Sequence, residues 1–415
     1  MLRPALPALA ALLIATASAA TPLPVEECVS LALARAPSTQ AAAADLRAAQ
    51  ARVRAARAAY WPRLTGQAQY GHAEGYDEAI TNGGVTALGI AVEAPLLDGG
   101  LRAAELAAAR ARVTSARALA RQREADVAFA VRSTYFAALA EQANAAIYRQ
   151  AADALANYEA LLQRQIDLGL APSSDLPRAA LALETARSAV RAADSNLGAA
   201  TEELSELTAV TVDATGLIEP AATQPLAVGD DAIDESPVLA DARAAAEAAR
   251  HDADAARSEG RGHLALNADG GFLGVDPGPT FRNDGGGQFL FGFSIPLFDG
   301  GAIAARTAAA TAVSASAEAN VGQVRQDLAI ALTHARADSQ RARADAIAWR
   351  RAQPAADDAL LLMRARYFGG GGATLVDVLD ALDQTVSARV AVARARLDEH
   401  LAAATVDQLL GRSEP

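Results

Sequence analysis

The chain is written twice. Pro95-Leu96-Leu97-Asp98-Gly99-Gly100 returns as Pro296-Leu297-Phe298-Asp299-Gly300-Gly301, at an offset of 201 residues. Pro37 against Pro237 and Leu64 against Leu264 keep an offset of 200, and Asp175 against Asp377 one of 202. Solenoid units run to roughly 20–45 residues, so a period this long means two copies of one larger unit. After a leader at about 1 to 20, the copies fall at about 21 to 219 and 220 to 415.

Both copies read in the same order. A helix rich in Ala and Arg (about 38 to 60, and about 237 to 259) leads into two short alternating segments at about 63 to 72 and 85 to 95, then about 263 to 273 and 287 to 296. A very long helical stretch follows, from about 98 to 167 and about 299 to 367, and a return helix at about 175 to 208 and 375 to 411. At about 1.5 Å per residue each long stretch spans about 100 Å. Leu101, Ala104, Leu106 and Ala108, or Val321, Val324, Leu328 and Ala331, recur at helical spacing between charged residues. This favours antiparallel coiled-coil packing on small contact residues. Gly322 and Pro354 read as breaks that mark curvature or a helix end.

Composition agrees, since 52% of residues are apolar but only 4% aromatic, and much of the apolar share is Ala. Alanine is the best helix former and a poor core filler. Long, closely packed helices suit such a chain better than a thick globular core.

Period two marks the short segments as strands. Phe289, Phe291, Phe293 and Ile295 fall on one face, with Gly292 and Ser294 on the other. Leu64, Gly66, Ala68 and Tyr70 alternate with Thr65, Gln67 and Gln69, and Leu264, Leu266 and Ala268 with Asn267 and Asp269. Leu88, Ile90 and Val92 share a side in the remaining segment. About ten residues with one greasy face is the pattern of a membrane β-barrel strand, although a soluble sandwich edge looks alike. Four strands cannot close a barrel, and open edges are not tolerated in lipid. If the strands span, copies must assemble: two would give eight strands and three would give twelve, and only the larger leaves a conducting pore.

The leader has Arg3, an apolar stretch from Ala5 to Ala17 and a small-residue site at Ala17-Ser18-Ala19, which reads as a secretory signal peptide. Cys28, the only cysteine, follows Glu26-Glu27, away from a lipoprotein cleavage site, and cannot form an intrachain disulfide. All 37 basic residues are Arg, which excludes a P-loop lysine or a Schiff-base amine. A net charge of −12 argues against nucleic acid as partner. The histidines at 72, 251, 263, 334 and 400 show no metal spacing, and no catalytic set or cofactor motif groups around them. A non-enzymatic chain without metal or cofactor is the expectation.

Together, Glu26-Glu27-Cys28-Val29-Ser30-Leu31-Ala32-Leu33-Ala34-Arg35-Ala36-Pro37, Tyr60-Trp61-Pro62-Arg63-Leu64, the doubled Pro-Leu-x-Asp-Gly-Gly junction, Leu168-Gly169-Leu170 and Val376-Asp377-Val378-Leu379-Asp380-Ala381 resemble the TolC family of outer-membrane factors. The resemblance covers essentially the whole mature chain. It implies an α plus transmembrane β fold: a homotrimer in which four strands per chain make a twelve-stranded outer-membrane barrel, continued by a periplasmic helical barrel. It also implies a passive gated conduit of a tripartite efflux pump or type I secretion system, seated in outer-membrane lipid. A periplasmic adaptor protein and an inner-membrane transporter would be its partners. A periplasmic coiled-coil adaptor and a non-conducting surface scaffold are the rival readings.

The candidate residues follow from these pieces. Asp377 and Asp380, three apart on one helix face, match the family's aspartates at a periplasmic gate, while Asp377 also suits a capping box with Thr374. Leu168, Gly169, Leu170, Asp175, Gly371 and Gly372 form the candidate adaptor-docking tip; for Asp175 helix capping is the plainer role and a tip contact to a neighbouring helix the alternative. Pro95, Asp98, Gly99 and Gly100, and Pro296, Asp299, Gly300 and Gly301, read as structural strand-to-helix junctions: proline ends the ladder, aspartate caps, and the glycines permit the bend.

Overall fold

A computed structural model describes residues 23–71, 85–220, 229–275 and 285–413. The expected signal peptide and the expected hairpin loops at 72–84 and 276–284 lie outside the described residues.

The chain opens with two helices, α1 (Val25–Arg35) and α2 (Pro37–Ala58), divided where Pro37 takes the first helical position. Strands β1 (Arg63–Gly71) and β2 (Val85–Leu97) follow, then α3 (Leu101–Asp167) and α4 (Asp175–Thr208). The second copy repeats this as α5 (Pro237–Ser258), β3 (His263–Val275), β4 (Gly285–Ser294), α6 (Ala302–Phe368) and α7 (Leu375–Leu409). Short 3-10 turns at Ala214–Gly216 and Asp230–Glu235 join the halves.

The two long helices have 67 residues each. Their buried positions are largely small: α3 buries Ala104, Ala108, Ala111, Ala118, Ala125, Ala128 and Ala138. Thin side chains let α3 lie close to α2, α4, α5 and α7, while α5 and α7 pack on α6. Larger side chains gather at two levels. At the waist Cys28, Val29, Val131, Tyr135 and Leu204 form a core. There the Tyr135 hydroxyl accepts from Ile218 N at 2.8 Å and lies within donating distance of Leu23 O and Ile218 O. Near the far helix ends Leu155, Tyr158, Leu183, Val378 and Leu382 form a second core.

Helix α6 runs unbroken through Gly322 and Pro354, so neither residue is a helix end. Proline removes one intrahelical bond, yet α7 holds the next turn: Thr385 Oγ1 donates to Ala356 O at 3.0 Å and Arg389 pairs with Asp357 at 2.9 Å. Packing overrides the local signal.

The strands make one antiparallel sheet in the order β1-β2-β3-β4. Its register aligns the apolar faces of all four strands. Leu64 lies opposite Val92, Val92 opposite Ala268, and Ala268 opposite Phe289. Strand β2 does not stop at Pro95 but shifts register and pairs Leu97 with Leu264.

Candidate functional site

One sheet face carries Leu64, Ala68, Tyr70, Leu88, Ile90, Val92, Leu264, Leu266, Phe272, Phe289, Phe291 and Phe293. The other carries Thr65, Gln67, Gln69, Glu93, Asn267, Asp269, Gln288 and Ser294, and the Gln288 amide donates to Asp269 Oδ1 at 3.1 Å. Among the described residues no element covers the apolar face, where Phe289 is 74% and Phe293 67% exposed. A contiguous greasy surface of this size is not left in water. Strands of nine to thirteen residues match the length that crosses a bilayer, about 9–11 residues when tilted. The apolar face thus suits lipid and the polar face an aqueous lumen. Among the described residues no helix is long and apolar enough to cross a membrane, and a lipoyl-like domain, which the adaptor reading needs, is not what these four strands build.

Each β-to-α junction is held by its aspartate. Asp98 accepts from Gly100 N at 3.1 Å and Arg102 N at 3.0 Å, and Asp299 from Gly301 N at 2.9 Å and Ile303 N at 2.6 Å. Both glycine pairs have positive φ, from 63° to 99°, which a side chain would strain. The first junction is further tied by Arg102, which donates to Pro95 O at 2.9 Å.

At the opposite end of the helices two tips come together. Leu168 and Leu170 flank Gly169 (φ 71°) and are each 73% exposed. Asp175 is buried at the start of α4, and its carboxylate accepts the Tyr367 hydroxyl at 2.8 Å. The helix start shows no side-chain cap bond, so of the two roles expected of Asp175 the contact to the neighbouring hairpin is the one formed. Burial, then the Asp175 carboxylate, pushes the Tyr367 phenol up, so it stays a donor throughout the physiological range. The pair joins the α3–α4 hairpin to the α6–α7 hairpin across 192 residues, a link the sequence spacing does not announce. Gly370 (φ 77°) and Gly372 (φ 84°) turn the second tip, and a Cβ on Gly371 would press on the Arg366 backbone at 3.2 Å.

Asp377 and Asp380 both sit on the exposed face of α7, beside buried Val378 and Ala381. A capping box forms: Asp377 N donates to Thr374 Oγ1 at 3.3 Å, and Asp377 Oδ2 accepts from Thr374 N at 2.7 Å. The Thr374 N–H and then its hydroxyl hold the Asp377 carboxyl below its usual range, so it is charged at neutral pH. Among the described residues no group of His, Cys, Asp and Glu could hold a metal ion.

The structure resembles several solved outer-membrane channels. The outer-membrane channel OprN superposes with a TM-score of 0.86 at 21% identity, covering 94% of this chain and 91% of that one. The outer membrane protein VceC of Vibrio cholerae gives 0.84 at 19% identity, over 93% and 96% of the two chains. The open state of the Neisseria gonorrhoeae MtrE outer membrane channel gives 0.82 at 18%, over 94% and 89%. No curated protein sequence matches significantly. The model of the outer membrane efflux protein family matches residues 28–210 and 228–412, once for each copy of the repeat. By that match, which takes in nearly all of both halves, the chain belongs to the outer membrane efflux protein family.

Proposed function

We propose that this outer-membrane efflux channel works as a homotrimeric, passive conduit whose periplasmic mouth is a gate built from the two helical tips. The observation that carries the reading is the sheet: four strands in one register, greasy on one side and polar on the other, with both edges unpaired among the described residues. Three copies supply twelve strands, enough for a water-filled lumen. The helices continue that lumen away from the membrane.

At the far end, threefold symmetry sets Asp377 and Asp380 as two acidic rings that favour cations. Within each chain, the Tyr367–Asp175 bond ties the α6–α7 hairpin to its neighbour and favours the closed mouth. A periplasmic adaptor fits the exposed Leu168–Leu170 tip, because apolar side chains at a loop apex suit a partner surface. An inner-membrane transporter would supply the energy, since a hydrophilic duct has none of its own.

Planar-bilayer recording tests the gate. Asp377→Ala with Asp380→Ala should raise single-channel conductance and weaken cation preference. Unchanged conductance and selectivity would remove these aspartates from the gate. A liposome-swelling assay tests the conduit itself, and intact, impermeable vesicles would favour the non-conducting scaffold.

A further inference from the structure

A single chain holds one complete seam between hairpins and two half seams. Pairing Leu64 with Val92 and Gly66 with Ile90 in the first hairpin becomes Leu264 with Phe293 and Leu266 with Phe291 in the second, at the repeat offsets of 200 and 201. The two hairpins are therefore equivalent in register as well as in sequence. Between them the β2–β3 seam pairs Ile90 with Gly270 and Val92 with Ala268, then slips after Pro95.

The β2–β3 seam also has a seal on its helical side. Arg261, in the turn before β3, donates from Nη1 to Gly99 O at 2.7 Å. It lies so close that a Cβ on Gly99 would sit 2.5 Å from the Arg261 Cβ. The repeat equivalents of this seal are present but apart. Trp61 stands where Arg261 does, in the turn before β1, and is 76% exposed. Gly300 stands where Gly99 does, and nothing lies within 4 Å of a Cβ built on it. Beside it Leu297 and Phe298 are 91% and 93% exposed.

We propose that the Trp61 turn of one copy docks on the Gly300 junction of a second copy of this chain, and that this contact fixes β4 against β1 in the register of the β2–β3 seam. Transferring that register places Phe293 opposite Ala68 of the partner subunit, Ser294 opposite Gln67 of the partner subunit, and, past the slip at Pro296, Phe298 opposite Leu64 of the partner subunit. The indole replaces the guanidinium: its N–H faces the junction carbonyl, and its ring covers the bare Leu297–Phe298 surface. An arginine serves the seam within the chain and a tryptophan the seam between chains, where more apolar area must be removed from water. This inference rests on the closed-barrel reading, because only closure brings β4 to another β1.

Disulfide trapping in outer membranes tests it with the full chain in a Cys28→Ala background. Ser294→Cys with Gln67→Cys, both on the polar face, should form interchain disulfides at least about tenfold faster than Ser294→Cys with Arg63→Cys, which lies four residues out of register, about 13 Å away. Trimers in which the shifted pair reacts equally fast would overturn the register while leaving the channel intact. Absence of any multimer, with no pore in bilayers, would overturn this proposal together with the closed barrel. The docking half has its own variant. Trp61→Ala should lower the temperature at which detergent-resistant trimers dissociate and Trp61→Phe should lower it less; identical dissociation for all three chains overturns the seal.

Discussion

In the proposed gate, the Tyr367–Asp175 hydrogen bond is the one residue pair that sets the resting position. The phenol is kept protonated by burial and by the carboxylate it serves, so the bond persists over the pH range of a periplasm. A hydrogen bond to a charged group contributes about 1.5–3 kcal/mol. Tyr367→Phe should therefore raise the open population roughly tenfold to a hundredfold at about 1.4 kcal/mol per decade, read as more frequent openings in single-channel records. At the waist, His400 stacks on Phe136 with ring centroids 4.5 Å apart. Burial lowers its pKa and Arg396 adds to this, against Glu399 and Glu219. A folded pKa below the ordinary value, about 6.5, means that this contribution to stability is complete above that pH and is lost as pH falls through the folded value. Thermal midpoints should drop from neutral pH toward acid, and His400→Leu should flatten that part of the profile.

At the scale of elements, the helices and strands were legible because each has a strong period and the duplication supplies every signal twice. Val92 and Phe293, or Asp98 and Asp299, confirm one another in a way no single segment does. Neither Gly322 nor Pro354 ends α6, and at the proline the reason lies outside the sequence window, since Thr385 and Arg389 of α7 restrain the turn after it. A tip contact for Asp175 was among the expectations, but its partner Tyr367 and the Arg261–Gly99 seal were not legible, for the same reason: they join residues 192 and 162 positions apart. The tips differ in kind, one presenting two leucines and the other a run of glycines, Gly369 to Gly372. On the proposed docking reading, this asymmetry assigns the apolar contact to the α3–α4 hairpin, with the glycines of the α6–α7 tip supplying the turn beside it. Leu168→Ser with Leu170→Ser should cut efflux in cells at least about tenfold while detergent-resistant trimers and intrinsic conductance stay unchanged. A proportional fall in trimer would instead make the leucines structural.

For the whole molecule, the decisive quantity is the free energy of the sheet's two faces in their two solvents. Neighbouring positions on one strand sample them separately, because Phe291 lies on the apolar face and Leu290 on the polar one, and both side chains are well exposed in a single chain. An arginine facing hydrocarbon near the bilayer midplane costs about 2–4 kcal/mol, whereas one facing the lumen stays hydrated. Symmetry multiplies the difference, since each trimer carries the substitution three times. Phe291→Arg should therefore abolish heat-modifiable trimers in outer-membrane fractions, while Leu290→Arg should assemble normally and shift ion selectivity toward anions. Equal assembly of both variants would mean that the two faces meet the same solvent, as they would on a soluble sheet. Because the residues are adjacent, local folding defects act on both alike, and only a lipid boundary on one side of the sheet separates them.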